Sequence, residues 1–209
     1  MVFKYPMCFH YIDSYSFLAE ISSFIPVMYS LAEKREIIIN ALLYILQRMG
    51  GVGDFHKVFK ILYFADEKHL ARYGAAINPD TYTAMAYGPV PSMAYDILKA
   101  LRHEGFMAEL CDEFTPYFEL IGKYTVRAKQ LPDSDYLSES ERACLDESIQ
   151  ENGCLPFSGR TEKSHDMAYA NADEEGAISF IDMAKVGGAN EAMLKYISSN
   201  IENQTADIS

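Results

Sequence analysis

The sequence predicts an α+β fold, predominantly α-helical, built on a long buried central helix with a small antiparallel β-sheet or hairpin beside it. Three observations predict this. Residues 55–70 are apolar around most of the helical girth: Phe55, Val58, Phe59, Leu62, Tyr63 and Leu70 form one face, and Ile61, Phe64 and Ala65 occupy the other. A helix apolar on nearly all sides is enclosed by its neighbours rather than laid on a surface. Residues 81–87 are short and rich in strand-favouring types. They run into Gly88-Pro89-Val90-Pro91.

Taken in order, residues 33–49 carry Ile37, Ile38, Ala41, Leu42, Ile45, Leu46 and Met49 at helical spacing. Gly50-Gly51-Val52-Gly53 closes that helix, since glycine adopts the left-handed conformation of a C-cap. Asp54 is placed to cap the central helix through its carboxylate. That helix extends to Tyr73, roughly 30 Å at 1.5 Å per residue, and Gly74 stops it. A strand over 81–87 ends at Pro89 and Pro91, which have no N–H for a ladder. Pro91 suits the first turn of the next helix, over 92–104, which Gly105 terminates. Residues 106–111 and 117–127 read as a hairpin about the turn at 112–116. Ser138 and Glu141 stand at capping-box spacing and open a helix that contains Cys144, Leu145 and Ile149 and ends at Gly153. Further helices are expected near 160–169 and over 190–201, followed by a frayed tail over 202–209.

The chain has 209 residues, enough for one domain with a genuine core. Residues 1–32 form an aromatic-rich extension, in which Asp13 or Ser14 could cap a short helix over 17–24, stopped by Pro26. Residues 33–201 form the domain proper, divided into 33–128 and an acidic helical part, 129–201. Charge is uneven: 1–128 hold 12 Lys/Arg against 14 Asp/Glu, whereas 129–209 hold 6 against 16. Such acidity repels nucleic-acid phosphates and anionic membranes and suits a basic protein partner, or simply solubility. No apolar run is long enough for a membrane span, and the broken N-terminal apolar region does not read as a secretory signal. The expected location is the cytoplasm, with Cys8, Cys111, Cys144 and Cys154 as free thiols.

No catalytic or metal-binding pattern stands out. Gly51-Val52-Gly53 lacks the third glycine and the Gly-Lys-Ser/Thr of a phosphate loop. The histidines form no HExxH pair and no close Cys/His cluster, so neither metal nor cofactor is expected. Asp66 and His69, one turn apart, are expected to contact each other or to hold the end of the central helix. Ser164-His165-Asp166 is not a triad, because consecutive helical side chains diverge by about 100°, and a Cys154–His165 dyad is the weaker use of those residues. The order helix, helix, strand, helix, hairpin is winged-helix-like and raises DNA binding through Lys99, Arg102, Lys123 and Arg127. Interspersed Asp96, Glu104, Glu109, Asp112, Glu113 and Glu119 argue against such a face.

Lys60-Ile61-Leu62-Tyr63-Phe64-Ala65-Asp66 with His69-Leu70, Gly74, Ile77, Asp80-Thr81-Tyr82 and Tyr87-Gly88-Pro89-Val90-Pro91 with Tyr95 resemble the Panacea (SocA-like) antitoxin domain family. That family is also labelled phage-associated GepA-like proteins. Leu137-Ser138-Glu139-Ser140-Glu141, Leu145-Asp146 and Ser164-His165-Asp166 resemble its second half, so the likeness covers residues 33–185. Members often carry tryptophan where this chain has Tyr169. The resemblance implies a bacterial antitoxin without catalytic activity, which neutralises a toxin encoded beside it by binding. Some relatives act instead as adaptors delivering the toxin to a protease. Candidate toxin-binding anchors are Tyr63, Tyr82, Tyr87 and Tyr95 around Gly88, Pro89, Val90 and Pro91, with Asp66, Glu67 and His69 as a polar rim.

Overall fold

The computed structural model describes residues 29–206. The short helix expected over 17–24, and Cys8, lie outside the described residues. Helix α1 (Leu31–Arg48) begins two residues earlier than its apolar spacing suggests. Ser30 and Glu33 form a reciprocal capping box: Ser30 Oγ accepts from Glu33 N, and Ser30 N donates to Glu33 Oε2. Strand β1 (Val52–Asp54) and helix α2 (Phe55–Tyr73) follow. Asp54 caps α2 as expected, accepting from Lys57 N at 2.8 Å, and Gly74 ends it at φ 74°.

The hairpin of β2 (Tyr82–Met85) and β3 (Gly88–Pro91) corrects the expectation that the strand stops at the prolines. β3 occupies a sheet edge, in the order β3-β2-β6 with β6 at Ala177–Ile178. An edge strand can leave its outer side without N–H donors, so proline is tolerated there. Pro91 is the N-cap residue of α3 (Ser92–Ala100), one position outside the helix. α3 is shorter than predicted because its end tightens into i→i+3 bonds, Arg102 N to Lys99 O and His103 N to Ala100 O.

The hairpin expected between 106–111 and 117–127 is also corrected. The first segment is a 3-10 turn, Ala108–Leu110, leading into the one-turn helix α4 (Cys111–Phe114). The hairpin lies wholly within the second, as β4 (Phe118–Gly122) and β5 (Thr125–Ala128). β1 pairs antiparallel with the far side of β5, giving the order β1-β5-β4.

After a 3-10 turn at Ser134–Tyr136, α5 (Glu139–Asn152) opens on the Ser138–Glu141 capping box. The single helix expected over 160–169 is two, α6 (Phe157–Ser164) and α7 (Met167–Ala170), because the chain leaves helical geometry at His165 and Asp166 caps the second through Tyr169 N. Helix α8 (Phe180–Val186) was not foreseen, and α9 (Glu191–Ala206) extends into the tail. Among the described residues no helix is long and apolar enough to cross a membrane, and Cys111, Cys144 and Cys154 are free.

α2 is the axis of the molecule, as its apolar girth predicts. Its Phe55, Val58, Phe59, Ile61, Leu62 and Ala65 join one core cluster with α1, α3, α5 and the β1-β5-β4 sheet. Its Tyr63, Phe64 and Leu70 join a second with Tyr82, α7, α8 and Ile197 of α9. Each fully buried Leu, Ile or Phe contributes about 1.5–3 kcal/mol, so one helix stabilises both halves. Ser148 of α5 donates to the Ile61 carbonyl at 2.7 Å, and its small side chain brings α5 close.

Candidate functional site

The polar residues of α2 do not form a rim. Asp66 is wholly buried, and its carboxylate accepts from the amides of Ile77 and Asn78 and from the Tyr82 hydroxyl. Burial pushes it up to about 7, against the pull of those donors. Glu67 is buried against Asp166 and Tyr63. Desolvation first, then the neighbouring Asp166, pushes it up to about 9. His69 is buried between the Ala75 carbonyl, 2.7 Å from Nδ1, and Ser140 Oγ, 3.1 Å from Nε2. Nδ1 therefore donates to the carbonyl, and Nε2 faces the Ser140 hydroxyl. Asp66 and His69 do not pair with each other. They hold the chain leaving α2, one through amides 77 and 78 and the other through carbonyl 75.

The tyrosine candidates divide in two. Tyr63 and Tyr82 are fully buried, correcting their placement as displayed anchors. Tyr63 donates to Asp166, Tyr82 to Asp66, and their rings meet edge-on at 5.3 Å. Burial raises both phenols well above their ordinary value. Tyr87 is 64% exposed at the hairpin tip, and Tyr95 is half-buried on α3. Gly88, Pro89 and Pro91 are buried and Val90 half-buried, so the Gly-Pro-Val-Pro element supports the site from behind.

Gly88 is fixed by geometry. Its φ is +92°, and a Cβ there would lie 2.4 Å from Ser164 Oγ and 3.0 Å from Lys60 Cε. Lys60, 1% exposed in mid-helix, sends Nζ to the Pro89 carbonyl at 2.5 Å. The hairpin thus closes directly over the lysine.

Tyr87, Val90 and Tyr95 line one groove of about 550 Å³. Its floor is the start of α2, with Asp54, Phe55, His56, Phe59 and Lys60; Met85, Tyr124 and Phe157 complete the walls. The rings interlock: His56 stacks on Phe157 at 3.9 Å, Tyr87 meets Phe157 edge-on at 5.5 Å, and Phe59 meets Tyr95 at 5.9 Å. His56 Nε2 lies 3.0 Å from Thr161 Oγ1, while Nδ1 is buried without a hydrogen bond. Desolvation, then Lys60 and Arg160, holds this imidazole down to about 4. A second hollow, of about 540 Å³, runs along residues 134–142 and is more polar in its residues. Partner anchors are typically aromatic, which favours the first.

The sequence pointed to Tyr87, Val90 and Tyr95 but missed Met85 on the same hairpin and His56, Tyr124 and Phe157, which come from three distant segments. A local signal did exist at Lys60, a lone cation inside an apolar girth. The basic residues of the DNA-binding alternative are already engaged: Lys99 pairs with Asp96, Arg102 with Glu104 and Arg127 with Glu119, and Lys123 lies 5.2 Å from the Tyr124 ring. Among the described residues no group of three His, Cys, Asp or Glu could hold a metal ion. His165 stacks on Tyr169 at 4.2 Å, and Asp166 turns to Tyr63 instead.

The described residues thus combine a buried helical axis, a proline-edged hairpin and an aromatic groove. A family model, antitoxin SocA-like, Panacea domain, matches residues 58–169, just over half of the chain, and the chain belongs to that family. Its role is therefore of the antitoxin type, and a toxin is the general kind of partner such a domain implies. No curated protein and no solved structure matches it.

Proposed function

We propose that this protein neutralises a cognate toxin, encoded by an adjacent gene, by binding it directly in the cytoplasm without catalysis. The observation that carries this reading is the pre-formed groove in which Tyr87, Phe157, Tyr124 and Met85 remain 64, 48, 50 and 42% exposed. Large aromatics held rigid beside a concavity are what an interface of about 800 Å² per partner uses as anchors. The anchors proposed here are Tyr87 and Phe157, with Tyr95 and Val90 as the groove wall.

Co-expression with the neighbouring gene tests this. The neighbour should be lethal alone and harmless with this protein. The double variant Tyr87→Ala/Phe157→Ala should lose rescue, since truncating two anchors costs about 2 kcal/mol or more each, over tenfold in affinity. Both residues are half-exposed, so the melting temperature should hardly move. Undiminished rescue by the double variant would refute the groove. Inhibition of purified toxin with no protease present separates direct neutralisation from delivery to a protease.

A further inference from the structure

The walls of the groove are apolar, but its floor holds Lys60, a cation without a counter-charge at ion-pair distance among the described residues, with Arg160 outside the lining. Among the described residues Lys60 donates to the Pro89 carbonyl alone. Arg160, 4% exposed, donates Nη1 to the Leu155 carbonyl and leaves Nε without a partner among the described residues. Neither has a carboxylate at ion-pair distance among the described residues. The nearby acids are engaged elsewhere, Asp54 on the Lys57 amide and Asp166 on Tyr63 and the Tyr169 amide.

Buried charges are normally paired, because desolvating an ion costs several kcal/mol that only a close counter-ion offsets. Here two like charges adjoin instead. Burial, then repulsion from Arg160, draws Lys60 down to about 7, against a weaker opposite pull from Asp166. An anion entering the groove would reverse that cost.

We propose that the groove receives an acidic side chain adjoining an aromatic residue on the partner, the carboxylate against Lys60 and the ring against Tyr87, Phe157 and Tyr95. The identity of the partner rests on the antitoxin reading; the chemistry of the site does not. A negatively charged group would enter here although the chain as a whole carries −12, because the one carboxylate among the lining residues, Asp54, is turned to the Lys57 amide.

The site is tested on the purified full chain with phenylacetate and its neutral isostere phenylacetamide, titrated by NMR. A ligand of about ten heavy atoms should bind at roughly millimolar affinity. The acid should be preferred over the amide by about tenfold or more. Lys60→Met should abolish the preference while the amide spectrum stays native-like, and Arg160→Met, whose charge lies outside the lining, should weaken it. Tyr87→Ala should weaken both probes alike. Equal binding of acid and amide by the parent protein overturns the proposal, as does a preference that survives in Lys60→Met; the first needs no variant to fold. In a parallel arm, parent and Lys60→Met are compared for capture of the neighbouring gene product. Equal capture overturns the carboxylate while sparing the antitoxin reading. Failure of the parent to capture it removes that reading, and the acid–amide preference still decides the site.

Discussion

Glu67 illustrates what burial does to a single carboxyl group. Its Oε1 has no hydrogen-bond partner among the described residues, and Asp166 lies against it. The folded protein therefore keeps Glu67 protonated up to about 9, whereas the unfolded chain releases that proton near 4.5. The sign follows from linkage: the folded state binds the extra proton, so stability is highest below 4.5 and declines as pH rises toward 9. Glu67→Gln, which mimics the protonated acid, removes this decline. Chemical denaturation at pH 5 and pH 9 should show the variant gaining on the parent by more than about 1 kcal/mol across that interval, or roughly 2–4 °C in melting temperature. A constant difference would show that Glu67 is ionised in the native protein. The same residue shows where the sequence misleads. A helix apolar around its girth has no free side, so its Lys60, Tyr63 and Asp66 must be buried with it. Residue type alone placed Asp66, Glu67 and His69 at the surface, and the enclosure that periodicity had already implied moves them inside.

At the scale of elements, the legible features are those closed by local chemistry. Asp54, Gly74 and the Ser138–Glu141 box set the ends of α2 and α5 within a few residues of sequence, and each appears where expected. Features set by distant partners were not legible: β1 pairs with β5 some 70 residues later, and β6 joins β2 across the whole second half. The break at His165-Asp166 likewise depends on Tyr63, a hundred positions upstream. The β2–β3 hairpin combines both kinds. Its turn needs a left-handed residue at 88, and its closeness to α2 needs that residue to lack a Cβ. Gly88→Ala therefore incurs about 1–3 kcal/mol of backbone strain besides the collision with Ser164 and Lys60. A denaturant midpoint should fall accordingly, with the m-value unchanged. A neutral substitution would mean the hairpin can shift away from Lys60, and the buried cation would then be less tightly roofed than the geometry indicates.

For the whole molecule, the two compositional halves pack directly on each other. The neutral part supplies α2 and β2, and the acidic part supplies the surfaces that cover them: α5 through Ser148 on the Ile61 carbonyl, α8 through Gly187, and β6 on β2. Gly187 shows how close this is, since a Cβ there would lie 2.0 Å from the Glu67 carbonyl oxygen. Ion pairs cross the boundary too, Arg72 to Glu147 and Lys68 to Glu151, though exposed pairs contribute only about 0–1 kcal/mol each. Apolar burial decides the matter. A fragment spanning 29–128 would expose Tyr63, Phe64, Leu70 and Tyr82 together, forfeiting about 1.5–3 kcal/mol for each. That exceeds a large share of the 5–15 kcal/mol by which domains are stable. The fragment should therefore lack a cooperative urea transition, while adding residues 129–206 in trans should restore one. A sharp transition for the fragment alone would show that residues 33–128 are an independent domain. The groove would then belong to that domain without Phe157, and its aromatic wall would have to be completed by docking rather than by folding.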